Sequence, residues 1–291
     1  MTMPTTMPVV VGADGSEASL RAVDWAGEEA ALRGAPLRIV HAALLWSAYV
    51  PLVPQPPRWA AAAEAAADEM LGEALIRARA GRPRLEAGTE TIDGTAREVL
   101  LALAGRAQLV VVGSRGHGGF TELLLGSVPR YLATRAPCPV AVIRERAAGP
   151  RRGEIVVGVT GRPDQEPVLD YAFREAGLRR ADLRAVHAWT QPVSAGPGDM
   201  LPPVFDPEAV AEEEARLLAE ALAGRADAHP DVTLVQHVVR AHPAKALIDA
   251  AAGADLLVIG AHGRAAGVLG LGATAHAVLH HCPGPVIAVR H

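Results

Sequence analysis

The stretch Val9-Val10-Val11-Gly12-Ala13-Asp14-Gly15-Ser16 reads as a buried strand running into a helix. Val9 to Ala13 is an apolar run rich in β-branched residues and ended by Gly15, the pattern of a strand covered on both faces. From Ser16 to Arg33 the apolar residues fall at helical spacing, with Ser16 a candidate N-cap. The stretch then returns. Val10-Val11-Gly12-Ala13 recurs as Val156-Val157-Gly158-Val159, 146 residues later. Asp24-Trp25-Ala26 recurs as Asp170-Tyr171-Ala172, and Val40-His41-Ala42 as Val186-His187-Ala188, at the same offset. Pro137-Cys138-Pro139-Val140 matches Pro283-Gly284-Pro285-Val286, again at that offset. A period this long marks a duplicated domain rather than a solenoid. Two domains are expected, residues 1–147 and 153–291, with the boundary in the Gly/Pro/Arg stretch from Ala147 to Gly153.

Each half alternates strands with helices. In the first, strands are expected at Val9 to Ala13, Leu37 to Ala42, Leu85 to Ile92, Leu109 to Val112 and Val140 to Ile143. Helices are expected at Ser16 to Arg33, Trp59 to Ala80, Thr95 to Ala104 and Ser127 to Thr134. The second half predicts strands near 154–159, 183–188, 232–239, 255–259 and 286–289. Such alternation implies parallel strands with right-handed crossovers. The expected fold class is therefore α/β: two tandem Rossmann-like domains, each a five-stranded parallel sheet flanked by helices. Ligands of such sheets bind beyond the carboxyl ends of the strands, at the topological switch point. The residues after strands one and four matter most.

Composition narrows the function. Of the 291 residues 50% are hydrophobic and only 3% aromatic, so the core must be built from Ala, Val and Leu. The net charge of −4 and the lack of a basic stripe argue against nucleic acid as a partner. No apolar run reaches the ~18 residues of a membrane span, and no membrane association is expected. Met1 to Pro8 lacks the charged and apolar regions of a secretory signal, and two cysteines make no disulfide framework, so a cytoplasmic location is expected. Lys245 is the only lysine and follows Ala244, which excludes a Walker A loop.

After strand four comes Gly113-Ser114-Arg115-Gly116-His117-Gly118-Gly119, and Gly126-Ser127-Val128 then opens a helix. Glycines let backbone N–H groups converge and let a ligand approach closely. The helix start adds unpaired N–H groups and a positive dipole end. With the Ser127 hydroxyl and the Arg115 charge, this reads as a phosphate cradle without a lysine, or else as a tight turn. Asp14, at the tip of strand one, can accept from a base amine or a ribose hydroxyl, or simply start a turn and help cap the helix.

The pattern Gly-x2-Gly-x9-Gly-Ser after strand four, Val-Gly-x-Asp-Gly-Ser after strand one and Ala-Pro-Cys-Pro-Val before the last strand resembles the universal stress protein family. The likeness covers nearly the whole chain and is that of a tandem member. It implies an adenine nucleotide alpha hydrolase-like fold and, in the ATP-binding branch, an ATP site. There Asp14 would face the adenine and ribose end beside Gly12, and the Ala42 backbone would line the adenine. Val112, Gly113, Arg115 and Gly116 would wrap ribose and phosphates, and Gly126, Ser127 and Val128 would hold the phosphate tail. Mg2+ on the phosphates is an optional companion. The resemblance also implies domains paired through their last strands, a pseudo-dimer within one chain that itself forms homo-oligomers, and an unidentified protein partner.

The second half departs from the pattern. Thr160 stands where Asp14 stands, and Arg162 where Ser16 stands. Its counterpart positions are Ala188, Gly260, His262, Gly263, Gly272 and Thr274, but the loop after Gly263 is one residue short. One register sets Ala273 opposite Ser127 and loses the hydroxyl. The other sets Thr274 there and puts Ala273 where the glycine belongs. Unequal sites are expected, with the first domain the main one.

Other features read as structural. His276 and His280, spaced i, i+4 and followed by His281 and Cys282, read as a polar helix face rather than a metal site. Cys138 and Cys282 read as buried thiols. The Pro-rich stretches Trp46 to Trp59 and Gln191 to Pro207 either overhang the ligand or merely connect. No spacing assembles a catalytic triad, so a regulatory, non-enzymatic nucleotide sensor of the stress response is expected. A protein-interaction module of the same fold and a slow ATPase are the alternatives.

Overall fold

The computed structural model describes residues 6–44, 57–116, 125–144, 152–190, 206–261 and 270–290. Most of both Pro-rich stretches, most of the interdomain boundary, His117 to Gly119, His262 and Gly263 lie outside these residues.

The first half runs β1 (Val9–Gly12), α1 (Glu17–Arg33), β2 (Leu37–Ala43), α2 (Pro57–Arg79), β3 (Ala87–Asp93), α3 (Ala96–Ala104), β4 (Leu109–Gly113), α4 (Ser127–Arg135) and β5 (Val140–Ile143). The second repeats it with β6 (Glu154–Val159), α5 (Glu166–Arg179), β7 (Asp182–Trp189), α6 (Pro207–Ala228), β8 (Leu234–Arg240), α7 (Pro243–Ala251), β9 (Leu256–Gly260), α8 (Ala273–His281) and β10 (Val286–Val289). Ser16 caps α1 as its position suggests, its hydroxyl accepting from the Ser19 amide, and Gly34 ends the helix in the left-handed region at φ 59°. Thr95 caps α3 in the same way. β3 and β8 begin two residues later than the apolar pattern predicts. Leu85 and Val232 are buried ahead of the strands, so the pattern recorded their burial and not their pairing.

The ten strands of the described residues form one sheet in the order β3-β2-β1-β4-β5-β10-β9-β6-β7-β8. Within each half every pairing is parallel, as expected. The halves join through their last strands, β10 antiparallel to β5 with Val286 opposite Val142 and Ala288 opposite Val140. Side chains alternate between two covered faces. Val9, Val11, Leu109 and Val111 pack under α1 and α2, and the same core continues under α5 and α6. Val10, Val110 and Val112 pack under α3 and α4 on the other face, continuous with the core under α7 and α8.

On the first of these faces, α1 and α5 meet over the seam and bury four charges. Glu29 and Arg33 of α1 stand opposite Glu175 and Arg179 of α5, their counterparts 146 residues on. Arg33 donates to Glu29 at 2.7 Å and also reaches Glu175, while Arg179 reaches both Glu175 and Glu29. Both carboxylates are almost wholly buried, their side chains 3% and 2% exposed. The Tyr171 hydroxyl accepts a further bond from Arg33 at 3.0 Å. Burial pushes the Glu29 carboxyl up from its ordinary range, against the pull of Arg179 and Arg33. Burial would lower the Arg33 guanidinium, but Tyr171, Glu175 and Glu29 outweigh it and hold it above its usual range. On the opposite face Arg144 donates to the carbonyls of His280 (2.6 Å) and Cys282 (3.2 Å), and Arg290 to that of Arg135 (3.2 Å).

Removing one member of a buried ionic cluster strands its partners in a low-dielectric site. Glu29→Ala and Glu175→Ala are each expected to cost about 3–5 kcal/mol. Their near-symmetry predicts similar costs, measurable as shifts in urea unfolding.

Candidate functional site

The switch point of the first half lies between the carboxyl ends of β1 and β4, which are neighbours in the sheet. Beyond β1 the chain turns through Gly15, whose φ of 82° favours glycine. The Asp14 carboxylate closes this turn: Oδ1 accepts from the Ser16 amide at 3.0 Å and from its hydroxyl at 2.6 Å. Behind it, the Asp14 amide donates to Ser19 Oγ at 3.3 Å, and that hydroxyl donates to the Ser16 carbonyl at 2.9 Å. At the end of β2, His41 Nδ1 lies 2.9 Å from the Ala13 carbonyl.

The other Asp14 oxygen is directed across to the β4 side. A Cβ on Gly116 would lie 2.3 Å from Asp14 Oδ2. A carboxylate and a bare backbone therefore meet at the mouth of the switch point, both exposed. Asp14 takes the turn role its position suggested, one oxygen holding the turn while the other faces the glycine loop. The Gly126 amide donates to the Ser114 carbonyl at 2.8 Å, which brings the start of α4 back beside Arg115 and Gly116. Gly126 is the N-cap of α4 and offers no side chain to the first amides of that helix. Ser127 is exposed at its first position and Val128 half-buried behind it.

Gly12, Ala42, Val112 and Gly113 belong to the walls. A Cβ on Gly113 would lie 2.7 Å from the Ala18 carbonyl, and one on Gly12 would lie 2.9 Å from Leu100 Cδ1. Close packing of α1 and α3 on the sheet explains both glycines. The Val112 side chain is buried in the core, and Ala42 packs against the same cluster, so both present backbone only.

In the second half, Gly161 repeats the turn at φ 72°. Thr160 takes the place of Asp14, and both its amide (2.7 Å) and its hydroxyl (2.9 Å) donate to Gln165 Oε1. The Gln165 amide nitrogen donates in turn to the Gly158 carbonyl. Ala188 and Gly260 keep their places at the ends of β7 and β9. His187, the counterpart of His41, lies 2.9 Å from the Val159 carbonyl and 2.7 Å from Glu214. The Gly272 amide donates to the Ala261 carbonyl at 3.1 Å, as Gly126 does to Ser114. That bond settles the register: Gly272 stands opposite Gly126 and Ala273 opposite Ser127. Thr274 is thus corrected to the second helical position, and the Ser127 hydroxyl has no counterpart at the first. His262 and Gly263 lie outside the described residues.

The glycine pattern did not single out Ser19, Gln165, His41 or His187. Only the 146-residue offset relates each pair. His276 and His280 stand with ring centroids 4.3 Å apart. Burial, His276, His281, Arg144 and Arg130 all push His280 below its ordinary value. Both cysteines are buried, and burial pushes the Cys138 thiol up to about 11. Among the described residues no helix is long and apolar enough to cross a membrane.

A doubly wound half-sheet with a glycine-lined switch point, present twice in one chain, defines a tandem Rossmann-like α/β protein. The universal stress protein family model matches residues 5–144 and again residues 152–290. Universal stress protein Rv2005c of Mycobacterium tuberculosis is 38% identical over 291 residues, covering 97% of this chain and 96% of that protein. Universal stress protein Rv2623 of the same organism is 35% identical, covering 98% and 97%. A universal stress protein from Archaeoglobus fulgidus superposes with a TM-score of 0.72 at 17% identity, over 97% of this chain and 98% of that one. The chain belongs to the universal stress protein family.

The two loop glycines should separate in experiment. Gly113→Ala drives a methyl into helix backbone and is expected to cost about 1–3 kcal/mol. Among the described residues Gly116→Ala meets only the end of the Asp14 side chain, and its unfolding midpoint should stay close to that of the parent.

Proposed function

We propose that the first domain, residues 1–147, binds ATP and that the chain acts as a regulatory nucleotide sensor in the stress response, without being an enzyme. The observation that carries this reading is the convergence of the Asp14 carboxylate, the Gly116 backbone and the start of α4 at one switch point. Asp14 accepts hydrogen bonds from the ribose or the adenine amine. Its Oδ1 is held by Ser16, so the group arrives oriented. The first amides of α4, the Ser127 hydroxyl and the Arg115 charge stabilise the phosphate tail, as a helix N-terminus does for anions. A bound Mg2+ would neutralise phosphate charge. Gly12, Ala42, Val112 and Gly113 form the walls.

The second domain, residues 153–291, serves in this reading as the other half of a built-in pseudo-dimer. A homo-oligomer, a protein partner that reads the nucleotide state and a cytoplasmic location complete the proposal.

Nucleotide extracted from freshly purified protein, followed by ATP titration to saturation, tests it. About one ATP per chain is expected. Asp14→Ala and Gly116→Ala should each weaken ATP more than tenfold, about 1.4 kcal/mol. Affinities within tenfold of the parent in both variants would refute the site. No nucleotide at either step would turn the reading to an interaction module.

A further inference from the structure

Position 165 carries glutamine where the first domain has Ser19. Both side chains are buried, and both take the amide of the residue at the strand tip, Asp14 or Thr160. The serine hydroxyl stops there, its own proton spent on the Ser16 carbonyl. The glutamine reaches further. Its Oε1 accepts from the Thr160 amide and hydroxyl together, and its nitrogen donates to the Gly158 carbonyl on the far side of the turn. Three polar groups at the carboxyl end of β6 are thereby turned toward one buried carboxamide.

The backbone changes with it. Where α1 begins at Glu17, the corresponding residues Pro163–Gln165 form a separate 3-10 turn, and α5 starts only at Glu166. Arg162 precedes Pro163, and a residue before proline is disfavoured in the helical region. Asp14 sends one oxygen across to Gly116, whereas the Thr160 hydroxyl is directed back at Gln165.

We propose that Gln165 is the residue that closes the nucleotide site of the second domain: its carboxamide occupies the polar groups at the β6 tip, so one chain carries one ATP site. This deepens the function proposed above and rests on it. Replacing the plug with the first domain's own residues should reopen the site, because the left-handed glycine and the Gly272 to Ala261 bond are already in place.

The test is ATP stoichiometry by calorimetry on the full chain, comparing the parent, Gln165→Ser and Thr160→Asp/Gln165→Ser. The expected ratios are one ATP per chain for the parent and two for the double variant, with the first-site affinity unchanged. Two ATP in the parent, or one in a folded double variant, would overturn the proposal while leaving the first-domain reading intact. None in the parent and one in the double variant would support the plug and refute the first-domain reading. None in any form would overturn both. A second readout needs no variant. In 15N spectra of the parent, the Gln165 side-chain amide should stay in slow exchange with solvent, unshifted, at saturating ATP. Its shift or loss of protection on adding ATP would overturn the proposal.

Discussion

The four charges buried between α1 and α5 hold the architecture together. Taking two carboxylates and two guanidiniums out of water is costly, and only near-complete mutual pairing offsets it. The pairing is complete because each arginine meets a carboxylate of its own helix and one from the other domain. That arrangement ties α1 of one half directly to α5 of the other. It complements the short β5–β10 seam, whose three pairs fix the register and whose six residues are all buried. The sheet supplies continuity and the cluster supplies the alignment of the two halves.

Much of the fold could be read from the residues. The repeat offset, the Ser16 cap and both terminal strands, Val140–Ile143 and Val286–Val289, were plain in the pattern. Boundaries slipped where burial and strand pairing part company, as at Leu85 and Val232. The ionic cluster was not read, because Glu29 and Arg33 at i, i+4 on an amphipathic helix look like an ordinary solvated pair. Only their recurrence as Glu175 and Arg179 sets them apart, and it takes the packing of two helices to show what that means.

The site was legible to a different depth in each domain. Glycine spacing marked Gly116 and Gly126, and the alternation of strands and helices set Asp14 beside them at the end of strand one. It could not separate the exposed Gly116 from Gly12 and Gly113, whose missing side chains make room for a helix. In the second domain it left two registers open, and a single backbone bond from Gly272 decided between them. Gln165 lies outside any glycine pattern, and a polar residue at a helix start reads as surface until its partners are seen.

The two ends of α1 have different work. Its first turn touches the switch point through Ser16 and Ser19, and its last carries Arg33 into the ionic cluster. Seventeen residues at ~1.5 Å each keep those ends roughly 25 Å apart. Along α5, fourteen residues keep the corresponding ends about 21 Å apart. Turn chemistry at one end and domain adhesion at the other can thus change independently, although one helix carries both. Between the halves the start of this helix differs, Gln165 standing where the first has Ser19, while its end keeps the same Glu and Arg pair. A gene copy could lose a binding site by small steps without ever ceasing to be half of a stable protein.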